Sequence, residues 1–68
     1  MTLYINGQAR EVAEGLSVLG LVQELGFKAD RLAIELNREI VPRAQWEATQ
    51  LKDSDKLEIV HFVGGGSH

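Results

Sequence analysis

One segment of this chain has a helical period, and the segments on both sides of it alternate. From Val18 the apolar residues fall at Val18, Leu21, Val22 and Leu25, spaced i, i+3, i+4 and i+7, which puts them on one stripe of a helix. Ser17 stands where an N-cap hydroxyl belongs, and Leu16 before it can staple onto Leu21 one turn in. Gly26 suits the left-handed residue that closes a helix, with Phe27 placed to reach Val22 as the apolar partner of that cap. Side-chain chemistry therefore bounds the helix at both ends and leaves it a single face to bury. Gly20 inside it costs about 1 kcal/mol relative to alanine, which predicts close backbone packing at that position.

A helix with one apolar face needs a sheet to cover, and the flanking segments read as strands. In Thr2 to Asn6, Leu3 and Ile5 face one way and Tyr4 the other, and Asn6-Gly7 is a strong hairpin signal. Ala9 to Val12 is the expected return strand, with Arg10 and Glu11 polar enough for a sheet edge. Glu14-Gly15 breaks the chain before the helix. Beyond the polar link Lys28-Ala29-Asp30-Arg31, Leu32, Ile34 and Leu36 alternate with Ala33 and Glu35. Asn37-Arg38-Glu39 turns the chain into a short strand at Ile40-Val41, and Pro42, which has no amide to give a ladder, ends it. Arg43-Ala44-Gln45-Trp46-Glu47 reads as a short helical connector with Trp46 covering one end of the core. Lys52 to Asp55 forms a turn, and Lys56 to Val63 the last strand. Strand, strand, helix, strand, strand, connector, strand is the order of an α+β, β-grasp (ubiquitin-like) fold, a mixed sheet of about five strands on one main helix. Hairpins supply the outer pairs, so the last strand must fill the centre beside the first. Residues 1–63 make the expected domain, and residues 64–68 an expected mobile, glycine-rich tail.

The chain has 68 residues and no cysteine. A domain this small buries only about 60% of the surface its unfolded chain exposes, which argues against a deep enzyme cleft. Without cysteine there is no disulfide framework, thiolate metal site or nucleophilic thiol, so any sulfur chemistry must use something other than a side-chain thiol. The start, Met1-Thr2-Leu3-Tyr4-Ile5-Asn6-Gly7, lacks both a basic leader and a long apolar run, and no window approaches the roughly 18 to 20 apolar residues that span a bilayer. A cytoplasmic location without membrane partners is expected. The formal charge of −3 weighs against nucleic acid and favours a partner with a basic docking surface.

Several constellations look like chemistry and reduce to structure. The run Gly64-Gly65-Gly66 is followed by only Ser67 and His68, so no helix N-terminus is available to make a phosphate loop. Asp53-Ser54-Asp55 opens like a calcium loop but lacks the glycine and distal glutamate of that motif, and reads as a solvated turn. His61 alternates with Leu57 and Ile59 and is an ordinary histidine at the margin of the core. Ser54, His61 and Asp55 supply the letters of a hydrolytic triad without a pattern that would bring them together. Tyr4, Val60 and Phe62 are different. If Leu3, Ile5, Leu57 and Ile59 face the helix, these three face outward from neighbouring central strands, and three large apolar groups on an open face suggest a docking patch for a partner. Loop cover and burial in a dimer are the alternatives.

The opening Ile5-Asn6-Gly7, the central Leu36-Asn37-Arg38-Glu39-Ile40-Val41-Pro42-Arg43 with Trp46 close behind, and Asp53-Ser54-Asp55-Lys56-Leu57-Glu58-Ile59-Val60 running into the glycines together resemble the ThiS family, the sulfur-carrier proteins of thiamine biosynthesis, over essentially the whole chain. The central stretch is the specific part, since a terminal di-glycine is shared by many ubiquitin-like proteins. The resemblance implies a protein that is not itself an enzyme. A C-terminal glycine carboxylate is adenylated by an E1-like activating enzyme that uses ATP and Mg²⁺. The adenylate is converted to a thiocarboxylate with sulfur from a donor such as a cysteine desulfurase, and the thiocarboxylate gives its sulfur to thiazole synthase. No cofactor is expected on the chain itself.

Aligning Val63-Gly64-Gly65-Gly66 with the family assigns Gly66 as the reactive terminus, Gly65 as the second choice and Gly64 to the tail. Family members end in glycine, whereas here Ser67-His68 follow. The Gly66 carbonyl is then an amide, so the two residues are either a tag remnant or a segment that a peptidase removes. A sulfur carrier of another pathway, of the molybdopterin type, and a ubiquitin-like modifier of protein lysines are the alternatives to thiazole formation.

Overall fold

The computed structural model describes residues 1–62. Five strands and one helix follow the order β1 (Thr2–Ile5), β2 (Gln8–Glu11), α1 (Val18–Leu25), β3 (Leu32–Leu36), β4 (Glu39–Ile40) and β5 (Lys56–His61), with 3₁₀ turns at Ala29–Arg31 and Arg43–Gln45. They form one mixed sheet in the order β2-β1-β5-β3-β4. The β1–β5 pair is parallel and the other pairs are antiparallel, so the last strand lies at the centre, as the hairpin argument required.

Helix α1 begins and ends where its caps place it. The Ser17 Oγ accepts the Gly20 amide at 3.0 Å. At the other end Gly26 has φ +79°, its amide donates to the Gln23 carbonyl at 3.1 Å, and the Phe27 amide donates to the Val22 carbonyl at 3.3 Å. These are the paired 5→2 and 6→1 bonds of a Schellman motif. Gly20 has a reason other than the one expected. No neighbouring backbone crowds it; a Cβ there would come within 2.9 Å of Leu16 Cδ1, so the space a side chain would take is filled by Leu16 itself.

Leu3, Val18, Leu21, Val22, Ile34, Leu57 and Ile59 pack between helix and sheet. Trp46 is buried with that core, and its indole Nε1–H donates to the Val41 carbonyl at 2.9 Å. The loop that carries it folds back on the helix start. Val18 and Leu19 donate to the Thr49 and Trp46 carbonyls at 2.9 and 3.0 Å, giving partners to amides that a helix N-terminus otherwise leaves without any. Leu51, on the same loop, is buried with them.

Four boundaries differ from the sequence reading. Strand β1 ends at Ile5 rather than Asn6, which is already in the hairpin loop. Strand β2 starts at Gln8 rather than Ala9 and ends at Glu11, and Val12 beyond it drops into the core. The short fourth strand is Glu39–Ile40, not Ile40-Val41. Only Asn37 and Arg38 form the loop, with φ +50° and +73°, so pairing resumes at Glu39 opposite Leu36 and Val41 turns inward. Strand β5 ends at His61, although the Phe62 amide still donates to the Arg31 carbonyl at 2.8 Å. Val63, the boundary between residues 63 and 64, and the whole glycine tail with Gly64, Gly65 and Gly66 lie outside the described residues.

Candidate functional site

Strand β5 is the element that leads to the glycines, and two asparagines hold it, one from each side. Asn6 and Asn37 each occupy the first position of a two-residue hairpin loop. Both have positive φ, +51° and +50°, and asparagine tolerates that region better than most residues. On the β1 side the Asn6 amide donates to the Leu57 carbonyl at 2.9 Å. Its side chain then continues the ladder, with Nδ2 donating to the Ile59 carbonyl at 3.2 Å and Oδ1 accepting the Ile59 amide at 2.8 Å. On the β3 side the Asn37 amide donates to the Lys56 carbonyl at 2.7 Å, and Asn37 Oδ1 accepts the Lys56 amide at 3.0 Å. Sequence reading took Asn6 as a turn former and missed both side-chain roles. The available signal was asparagine recurring at the start of each tight hairpin beside the central strand.

The acidic turn before β5 is structural. Asp53 Oδ1 accepts the Thr2 amide at 2.7 Å, Asp55 Oδ2 accepts the Lys52 amide at 2.8 Å, and Asp55 Oδ1 accepts Asn37 Nδ2 at 3.0 Å. Both carboxylates therefore serve the backbone and the neighbouring hairpin. Its last strand residue, His61, meets the Phe27 ring edge-on at 4.5 Å between centroids, joining the end of β5 to the helix cap.

The outward face of the sheet carries the four exposed large apolar side chains among the described residues: Tyr4 at 38% exposure, Val60 at 52%, Phe62 at 57% and Ile40 at 71%. Tyr4, Val60 and Phe62 do share a face, but not side by side. Tyr4 pairs with Lys56 in the parallel register, so Val60 lies four positions further along β5, about 13 Å at strand rise. Glu58 sits between them on the same face. It stands directly opposite Glu35 of β3, which in turn stands opposite Ile40 of β4. Sequence reading named neither Ile40 nor the two glutamates as part of this face, because their placement depends on register between strands remote in sequence.

Among the described residues no group of His, Cys, Asp or Glu is arranged to hold a metal ion, and no helix is long and apolar enough to cross a membrane. What the geometry offers is a held central strand leading to a tail, beneath a partly apolar sheet face. A mixed sheet with one helix across it, a parallel pair between first and last strands and a last strand at the centre define the β-grasp class of ubiquitin-like proteins.

Comparison with known proteins narrows that class. The ThiS family model matches residues 3–66. The sulfur carrier protein ThiS of Escherichia coli (strain K12) is 32% identical over 66 residues, covering 97% of this chain and 100% of the relative. The crystal structure of a thiamine biosynthesis protein (ThiS) from Geobacter metallireducens superposes with a TM-score of 0.85 at 39% identity, covering 97% of this chain and 100% of that one. A thiazole synthase from Paramagnetospirillum magneticum is 45% identical over 67 residues, 98% of this chain. The chain spans about a fifth, 21%, of the thiazole synthases it matches. It belongs to the ThiS family.

Proposed function

We propose that this chain carries sulfur as a thiocarboxylate on Gly66 for formation of the thiazole ring of thiamine. The observation that carries the reading is where the family match stops: it runs through residue 66 and leaves out Ser67 and His68. The reactive form ends at Gly66. In the sequence as written the Gly66 carbonyl is bonded to the Ser67 nitrogen, and an amide has no carboxylate oxygen to attack ATP. Gly65 is the second candidate terminus, and Gly64 belongs to the tail.

The chain's part in the chemistry is that of a substrate. A carboxylate is a poor electrophile, but attack of its oxygen on the α-phosphorus of ATP expels pyrophosphate and leaves an acyl adenylate with a good leaving group. A sulfur nucleophile then displaces AMP at the carbonyl carbon; where that sulfur arrives as a persulfide, the acyl disulfide formed is cleaved by a thiol reductant, which leaves the thiocarboxylate and a disulfide. The E1-like activating enzyme supplies ATP, Mg²⁺ and the catalytic groups, a donor such as a cysteine desulfurase supplies sulfur, and thiazole synthase receives it. Glycine alone lets the backbone enter an active site without side-chain bulk. Tyr4, Val60 and Phe62 on the outward sheet face form the docking surface that these enzymes share, and the cytoplasm is the compartment of the reaction, without nucleic-acid or membrane partners.

Intact-mass measurement tests the reading. The Gly66-ended protein, incubated with the activating enzyme, ATP and a sulfur donor, should gain the mass of one sulfur-for-oxygen exchange, and the form retaining Ser67-His68 should not. No exchange on the Gly66-ended form, in a mixture that modifies the Escherichia coli carrier, would sink it.

A further inference from the structure

The glutamates at the middle of the outward face are an arrangement that folding alone does not favour. Glu35 and Glu58 are directly paired across β3 and β5, both are exposed, and like charges in that position destabilise a sheet. Lys56, two residues from Glu58, and Arg38 of the β3–β4 loop line the same surface pocket as the two glutamates, yet neither glutamate is within ion-pair distance of either cation or of any other described residue. Around the pair stand Tyr4 at one end, Val60 and Phe62 at the other and Ile40 at the side. A hydrated metal ion would answer the charge and leave the apolar groups in water. A protein surface that offers a basic side chain within an apolar surround answers both.

We infer that Glu35 and Glu58 together receive an arginine or lysine of a partner protein, whose apolar surface covers Tyr4, Val60, Phe62 and Ile40. The inference rests on the carrier reading above, and identifies the occupant by charge complementarity: an acidic pair within a chain of net charge −3 meets a cation. A planar guanidinium spans two carboxylates from neighbouring strands better than an ammonium does, so arginine fits the pair more closely. The repulsion retained in the free chain is relieved when the partner docks, so affinity and free-chain stability are set against each other at the same two residues.

The test replaces both carboxylates with isosteric amides, Glu35→Gln and Glu58→Gln, in the full chain. Dissociation constants for the purified activating enzyme and for purified thiazole synthase are measured at low and at moderate salt, with thermal midpoints of the free chains alongside. The double variant should melt higher than the wild type. It should also bind at least one of the two enzymes roughly tenfold more weakly at low salt, with a flatter salt dependence. Glu58→Lys, which places a cation where the partner's cation belongs, should weaken the same complex further. If the wild type binds and the double variant binds both enzymes as tightly as it does, the acidic pair is not a docking element and only this inference falls. If the wild type binds neither enzyme, the carrier reading falls and this inference with it.

Discussion

Asn6 and Ile59 exchange two hydrogen bonds across the seam between the first and last strands, although 53 residues separate them in the chain. Strand β1 has already turned into its hairpin at that level, so the side-chain amide of Asn6 takes the place of the next backbone unit of the ladder. It keeps the far half of β5 bonded on the side where β1 has left off, close to where the chain heads for the glycines.

Replacing Asn6 with glycine keeps the positive φ available and deletes only these two bonds. The expected loss is about 1–3 kcal/mol, because the part-buried Ile59 amide and carbonyl are left without their partner. Urea unfolding of Asn6→Gly against the wild type measures it. A change of a few tenths of a kcal/mol would mean that water replaces the side chain at no cost.

The two hairpins beside β5 differ at one position. Asn6-Gly7 and Asn37-Arg38 both have positive φ at each loop residue, which suits asparagine followed by glycine, but the second has arginine at φ +73°. Holding a residue with a Cβ there costs roughly 1–2 kcal/mol. Arg38→Gly should therefore raise the unfolding midpoint in urea, and Gly7→Ala should lower it. An unstable Arg38→Gly would show that contacts of the arginine side chain outweigh the backbone strain.

Gly20 and Leu16 form a coupled pair, since a Cβ on residue 20 would approach Leu16 Cδ1 to 2.9 Å. In the wild-type background Gly20→Ala should fall short of the roughly 1 kcal/mol that alanine gains over glycine in a helix. In a Leu16→Ala background the contact is gone and the full gain should appear. A double-mutant cycle by thermal unfolding reads the coupling directly, and strict additivity would refute it.

Trp46 is buried with its indole proton committed to Val41. Trp46→Phe keeps an aromatic ring but removes that bond and some volume, and should cost about 1–3 kcal/mol. Trp46→Ala should cost about 3–5 kcal/mol, much of what a domain of this size has to spend at roughly 0.05–0.15 kcal/mol per residue. Loss of the cooperative thermal transition in Trp46→Ala, by circular dichroism, is the expected result.

On the outward face the expectation reverses. Tyr4→Ala with Phe62→Ala should leave the thermal midpoint close to that of the wild type, because both side chains are exposed. Affinity for the activating enzyme or for thiazole synthase should fall by more than about 1 kcal/mol if these are anchors of a docking surface. Unchanged affinity and turnover in the folded double variant would remove the patch from the mechanism.

Local signals in the chain were enough to locate the helix with both of its caps, the Asn6-Gly7 hairpin, and the alternation of Leu3, Ile34, Leu57 and Ile59 toward the helix. Each depends on residues a few positions apart, where side-chain spacing and backbone preference act directly. Even the central place of β5 was expected, from the β-grasp order of the elements, and the sheet order agrees with it. What the amino-acid order alone could not supply was register. Whether Glu58 meets Glu35 or its neighbour, whether Tyr4 lies beside Val60 or four positions from it, and whether Asn6 reaches Ile59 are decided by pairing between strands that only the packed core aligns. A slip of one residue would turn every outward side chain of a strand inward. The helix and turns were thus set by local chemistry, and the outward face by burial of Leu3, Ile34, Leu57 and Ile59 on the opposite side of the same sheet.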